Sequence, residues 1–241
     1  MTIHVLNYAS GRFLQAQELQ NAKWREAHPG LDLVVHSFQK SSIPTEYVTS
    51  EVAHVLAVPR GDGLWAWKAL CISHVFDQAR EGDIVFYVDS GAHPTTSQES
   101  LFSEIAQHGQ VFTRVSGFDE EEETRRWLLS VPRYAERRSL IEQPGLFLAQ
   151  KWDKRLSPYP AGAVQVCGGF QGYLVCERSR SFLSELRSMI TLAHYDDTTG
   201  VQHSGYIDHR HDQTVLTEMV YRHQLHVVDT LPGILLHRAN G

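Results

Sequence analysis

The chain has 241 residues, enough to bury the core of one α/β domain. It is 42% apolar and 21% charged, with a formal net charge of −6 and 22 scattered Lys and Arg, a pattern that excludes a phosphate-coating nucleic-acid binder. No apolar run approaches the ~20 residues of a membrane-spanning helix, and MTIHVLNYAS lacks a basic leader, so the expected place is the cytoplasm, with no transmembrane segment and peripheral membrane attachment left open.

Ile3–Leu6 reads as a first strand, and residues 11–26 as a helix with Phe13, Leu14, Ala16, Leu19 and Ala22 at helical spacing. Leu31–Val35 is a second strand. Residues 65–80 predict a helix with Trp67, Leu70, Cys71, His74 and Val75 on one face, ended by Glu81-Gly82-Asp83 before the strand Ile84–Val88. This alternation predicts a largely parallel sheet covered by helices, with ligands beyond the carboxyl ends of the strands, where Asp89-Ser90-Gly91 falls. A helix over 98–108 and a strand over 111–115 follow, and the acidic run Asp119–Glu123 opens a solvated helix. Residues 156–163, with Pro158 and Pro160, read as a loop that divides a single domain into a nucleotide-donor half, 1–155, and an acceptor half, 156–241. Beyond it lie strands at 164–167 and 173–176, a helix over about 179–192, and a last helix from near His211. Cys71, Cys167 and Cys176 form no Cys-x-x-Cys pair and read as buried thiols. Most of the 14 His lie singly among polar residues, where surface or hydrogen-bonding roles suffice.

Three blocks carry chemistry: Arg60-Gly61-Asp62-Gly63-Leu64-Trp65-Ala66-Trp67-Lys68, Gly82-Asp83-Ile84-Val85-Phe86-Tyr87-Val88-Asp89-Ser90-Gly91, and Asp208-His209-Arg210-His211-Asp212-Gln213-Thr214-Val215-Leu216. In order and spacing they resemble a bacterial family of GT-A glycosyltransferases, whose pattern is Gly-aromatic-Trp-x-Trp-Lys-Pro, Gly-Asp-hydrophobic-Tyr-Leu-Asp-Ala-Gly and His-Arg-His-Asp-Gln-Ser-x-Leu. Leu64 stands here for the aromatic and Ala69 for the proline. The resemblance implies the GT-A fold of nucleotide-diphospho-sugar transferases: an α/β, Rossmann-like, mixed and mostly parallel sheet flanked by helices. It further implies hexosyl transfer from a nucleotide-sugar donor to a glycan or lipid-linked glycan acceptor in surface polysaccharide assembly, with Mn²⁺ or Mg²⁺ as cofactor.

The chemistry of the residues is compatible with that expectation. A leaving diphosphate gains negative charge, and a hard cation held by carboxylates stabilises it. Asp89 is placed for this at a strand end, although Gly91 stands where the Asp-x-Asp motif of the fold has its second acid, and His237 is the candidate for a further metal ligand. Arg60 and Lys68 are candidate cations for the donor diphosphate, Tyr8 a platform for the base, and Gly91 a point of close backbone approach. Gly168 and Gly169 resemble the glycine-containing strand end that lines the sugar pocket, and His211 and Gln213 are further candidates for sugar contact. Asp212 is the catalytic candidate, as general base in an inverting transfer or as an orienting group in a retaining one. Two other readings compete: a metal-dependent hydrolase built on His209, His211 and Asp212, and a non-catalytic nucleotide- or carbohydrate-binding protein on the same fold.

Overall fold

Short runs of β-branched and aromatic residues become strands, because such side chains pack well on a pleated surface. In the computed structural model, which describes residues 1–114, 129, 165–196, 209–229 and 231–236, they are β1 (Ile3–Tyr8), β2 (Leu33–Phe38), β3 (Ile84–Val88), β4 (Ala92–Pro94), β5 (Gln110–Arg114), β6 (Val166–Leu174), β7 (His226–Val228) and β8 (Ile234–Leu236). Six of them form one sheet in the order β2-β1-β3-β6-β5-β7, while β4 pairs with β8. Strands β1, β2 and β3 are parallel, β6 runs antiparallel between β3 and β5, and β7 is parallel to β5. The expected mixed, mostly parallel sheet is therefore present.

Helices α1 (Leu14–Ala27) and α4 (Glu99–His108) cover one face, where Trp24, Phe102 and Ile105 pack on Ile3, Val5, Ile84 and Phe86. Helices α2 (Ser50–Leu56), α3 (Trp67–Gln78), α5 (Glu177–Ser188) and α6 (Asp212–Arg222) cover the other, with Leu70, Phe76, Phe182 and Val215 against Leu6, Val85 and Tyr173. All five residues of β3 are buried, as a strand covered on both faces requires.

The structure corrects several expectations in ways that matter for the site. Strand β1 runs on to Tyr8, two residues past the expected end, and so carries Asn7 and Tyr8 into the interior. In α1 the buried residues are Gln17, Gln20 and Trp24, whereas Leu14 and Leu19 are exposed. Hydrogen bonding outweighs hydrophobicity there: Gln17 Nε2 donates to Asn7 Oδ1 (2.8 Å) and Phe38 O (3.0 Å), both buried. Helix α3 begins at Trp67 rather than Trp65, because Gly61, Asp62, Gly63, Leu64 and Trp65 all have positive φ and build a left-handed turn. Non-glycine residues in that region cost about 1–3 kcal/mol each and mark functional ground when they cluster.

The two short strands expected at 164–167 and 173–176 are one strand, β6, whose glycines lie inside it. Because β6 sits between β3 and β5, strands from both sides of the expected 155/156 division share one sheet. The acidic run Asp119–Glu123 and the loop at 156–163 lie outside the described residues. Of the cysteines, Cys71 is fully buried and Cys167 and Cys176 are partly so.

Candidate active site

At the carboxyl end of central β3 the chain leaves the sheet at Asp89, whose side chain is 50% exposed. Its backbone is held on three sides. Asp89 N donates to Gly169 O (2.9 Å), Ala92 N donates to Asp89 O (2.9 Å), and Gln20 Nε2 donates to Asp89 O (2.7 Å) and also to Ala92 O. Tyr87, two residues back on the same side of the strand, donates its hydroxyl to Asp89 Oδ1 at 2.5 Å. Replacing Gln20 by Ala should lower stability by about 1–3 kcal/mol, since it strips a buried donor from two carbonyls. Thermal melting measures the loss, and an unchanged melting temperature would remove Gln20 from the support of this turn.

Across from Asp89, β6 carries its glycines where side chains would collide. A Cβ on Gly169 would lie 2.7 Å from Asp89 Oδ2, and one on Gly168 would lie 3.0 Å from Asp212 Oδ2. The glycines thus let carboxylates from two directions close on one strand. Asp212 is the first residue of α6, and His211 before it has φ 53° and ψ −118°, a sharp corner that turns the chain into the helix. Gln213 fixes the helix to β6: Gly168 N donates to Gln213 Oε1 (3.1 Å), and Gln213 Nε2 donates to Gln165 Oε1 (2.7 Å).

Lys68, on the first turn of α3, reaches into this space with its side chain only 7% exposed. Its Nζ lies 3.0 Å from Asp212 Oδ2 and 3.4 Å from Asp89 Oδ1, and donates to Gly168 O at 3.2 Å. The ammonium thus makes one hydrogen bond, to the strand, and two ion pairs. Around them stand the rings of Tyr87 and Trp67, with centroids 5.4 and 5.8 Å from the ammonium. One cation thus serves two acids. Burial pushes the Asp212 carboxyl up to about 6, and the nearby Asp89 charge adds to this, although Lys68 opposes both. The two acids raise the affinity of the Lys68 ammonium for its proton well above the ordinary lysine range, against the cost of burial. These shifts agree on the underlying physics: a fixed ammonium divided between two carboxylates leaves the more buried one incompletely compensated.

No family model matches the chain, and no curated protein matches it in sequence. Among solved structures, the WbbM bifunctional glycosyltransferase superposes over 95% of this chain and 38% of its own length, with 10% identity and a TM-score of 0.50. The galactosyltransferase LgtC, solved with donor and acceptor sugar analogues, covers 93% of this chain and 73% of its own at 11% identity and TM-score 0.47. Mouse xyloside xylosyltransferase 1 covers 95% and 84%, at 10% identity and TM-score 0.44. The sheet order, the antiparallel β6 and the WbbM superposition decide the architecture. This chain has a GT-A fold.

Within this GT-A domain the structure brings Lys68, Asp89, Gly168, Gly169 and Asp212 into one cluster. Gly91 lies in the turn between β3 and β4. Arg60 stands at the head of the left-handed turn, directly before Gly61. Lys68, expected near the donor diphosphate, is buried, pairs with both acids and donates to Gly168 O. Tyr8, expected as a platform for the base, is 6% exposed, with one ring face stacked on Trp67 at 3.7 Å and its hydroxyl donating to Asp62 Oδ2 at 3.0 Å. His211 and Gln213, expected as sugar contacts, are tied into the fold. His211 is 2% exposed, its ring lies on Trp65 at 5.6 Å and its Nδ1 bonds Tyr195 O at 2.7 Å, while both ends of the Gln213 amide are engaged within the fold.

Sequence reasoning missed Tyr87 and Asp62. The Tyr-x-Asp spacing on a strand signals the first, since residues two apart share a face. Asp62 receives the hydroxyls of Ser10 and Tyr8 and the ammonium of Lys40 (3.4 Å), and the Ser10 bond foremost holds its carboxyl below the usual range.

The described residues do not fit a divalent-ion centre. No group of three His, Cys, Asp or Glu is gathered among them, and His237 lies outside them. Asp89 Oδ1 already takes the Tyr87 hydroxyl and faces Lys68, and a cation about 4 Å from an ammonium is repelled by about 4 kcal/mol per unit charge near a protein surface. The hydrolase reading gains no support here: among the described residues His209, His211 and Asp212 do not gather into a metal-holding group, and His209 Nδ1 accepts the His211 N–H while His211 Nδ1 bonds Tyr195 O. No helix of the described residues is long and apolar enough to cross a membrane.

Proposed function

We propose that this protein transfers a hexose or related sugar from a nucleotide-activated donor to a glycan or lipid-linked glycan acceptor. The observation that carries the reading is the Lys68 bridge between Asp89 and Asp212 at the carboxyl end of β3, the place where open α/β sheets take their ligands. Asp89, half exposed, faces outward from the strand end and can accept hydroxyls of the donor. Asp212 is the buried acid, with a proton affinity poised near neutrality.

In the transfer, an acceptor hydroxyl oxygen bonds the anomeric carbon as the bond from that carbon to the diphosphate oxygen breaks. The bonding pair leaves with the diphosphate, and the acceptor proton passes to the Asp212 carboxylate in an inverting reaction. Lys68 keeps Asp212 charged enough to take that proton and fixes its direction. Gly168 and Gly169 let the Asp212 and Asp89 carboxylates close against β6 and so hold the two acids beside one another. In a retaining reaction the same carboxylate orients donor and acceptor without taking the proton itself.

A thermal-shift screen of UDP, GDP and their sugars tests the reading, because a ligand that binds only the native state stabilises it, by about 2.7 kcal/mol at 100 times Kd, and so raises its melting temperature. At least one nucleotide sugar should stabilise the protein and then be turned over with an added glycan acceptor. No shift with any of them sinks the transferase reading. A shift with neither hydrolysis nor transfer establishes the non-catalytic binding protein instead.

A further inference from the structure

We propose that the Lys68 ammonium is the resident cation of this site, and that the protein binds its nucleotide donor without a divalent metal ion. The transferase reading supplies the word donor; the cation site itself is a property of three side chains and one strand.

The ammonium is surrounded as a bound cation would be. Oxygens of Asp212, Gly168 and Asp89 lie 3.0, 3.2 and 3.4 Å from Nζ, and two aromatic faces close the rest of the shell. The four-carbon stem is buried, so the charge is tethered and does not exchange with solvent. The two carboxylates a metal would draw on are thus already bridged by a cation that belongs to the chain. A second observation comes from β3 itself: the residue two after Asp89 is Gly91, which has no ligand to offer. A third comes from Tyr87, whose hydroxyl occupies the same Asp89 oxygen that faces Lys68. A hard divalent ion beside a diphosphate draws on one or two protein carboxylates, and both of those at this strand end already face the ammonium, with Asp89 Oδ1 also taking the Tyr87 hydroxyl. Lys68 is accordingly a positioning residue that holds Asp89 and Asp212 together, with positive charge supplied permanently where a metal would supply it on binding.

The proposal predicts that removing the ammonium exposes a metal site. With Lys68→Met, two carboxylates face each other across Gly168 without a counter-charge, and a divalent ion can bridge them. The test titrates Mn²⁺ alone into the purified protein and follows free Mn²⁺ by electron paramagnetic resonance. The wild type should hold no Mn²⁺ below millimolar concentration, and EDTA should leave any UDP or GDP thermal shift unchanged. Lys68→Met should bind Mn²⁺ at least about tenfold more tightly, a gain cancelled by adding Asp89→Asn. If Lys68→Met does not fold, Lys68→Gln replaces it. Micromolar Mn²⁺ binding by the wild type, with or without nucleotide, overturns the proposal, as does a folded Lys68 variant that gains none. A missing nucleotide shift would count against the transferase reading alone, since the Mn²⁺ titrations stand without it.

Discussion

Replacing Asp212 by Asn lowers turnover by about 10²–10⁴-fold, the usual worth of a positioned general base, while the donor dissociation constant stays within about threefold. Asn keeps the shape of the side chain and removes its ability to take a proton. Lys68 retains Asp89 and Gly168 O, so the variant should fold, as circular dichroism and melting can verify. The pH profile discriminates further. The Asp212 carboxyl titrates near 6, so wild-type kcat/KM should rise with pH through that value and level off above it. In D212N the rise should disappear and the residual rate run flat across the same range. A D212N enzyme of near wild-type activity would remove Asp212 from the chemistry. An intact pH step in a slow variant would assign the titration to another group.

Replacing Lys68 by Met costs about 3–5 kcal/mol of stability, because it leaves a buried carboxylate without its counter-charge. The loss should depend on pH, and the sign follows from the direction of the Asp212 shift. Unfolded, this carboxyl ionises near the ordinary aspartate value of 3.8; folded, it does so at about 6. Between those values the folded chain binds a proton that the unfolded chain has released, so acidification favours folding and rising pH opposes it. Without the ammonium the folded affinity for the proton climbs further. The penalty in K68M should therefore be greatest above neutrality and shrink toward pH 5, which chemical denaturation at a series of pH values reads directly. A penalty independent of pH would mean that packing of the lysine stem, and not its charge, is what Met fails to replace.

Much of the architecture was legible because β3 and its neighbours are dense in branched and aromatic residues bounded by polar turns. Asp89 could be placed from sequence, since a strand that ends in an acid at the carboxyl edge of a parallel sheet has few other roles. Lys68 could be picked out but not understood. Its neighbours Asp89 and Asp212 lie 21 and 144 positions away, and nothing in the order of residues says that three elements converge on it. Helix α1 misled for a different reason: its apolar residues suggested one face, but buried carbonyls at the ends of β2 and β3 required Gln17 and Gln20 to turn inward. The left-handed run at 61–65 was hidden because Leu64 and Trp65 have no propensity for positive φ and are held there by packing. The glycines of β6 split it into two expected strands because glycine disfavours strand interiors; the acids opposite explain Gly168 and Gly169, and the Ile105 side chain explains Gly172.

Strand β6 lies between β3 and β5 although it is synthesised after both, and Lys68 meets Gly168 across 100 residues of sequence. A nascent chain halted before residue 166 would carry β3 and β5 with no partner on their facing edges, open backbone of the kind that recruits other chains. High contact order makes such a sheet slow to complete. The active site is therefore among the last parts of the molecule to exist, and a chain truncated short of β6 should aggregate rather than persist as a weakly active fragment.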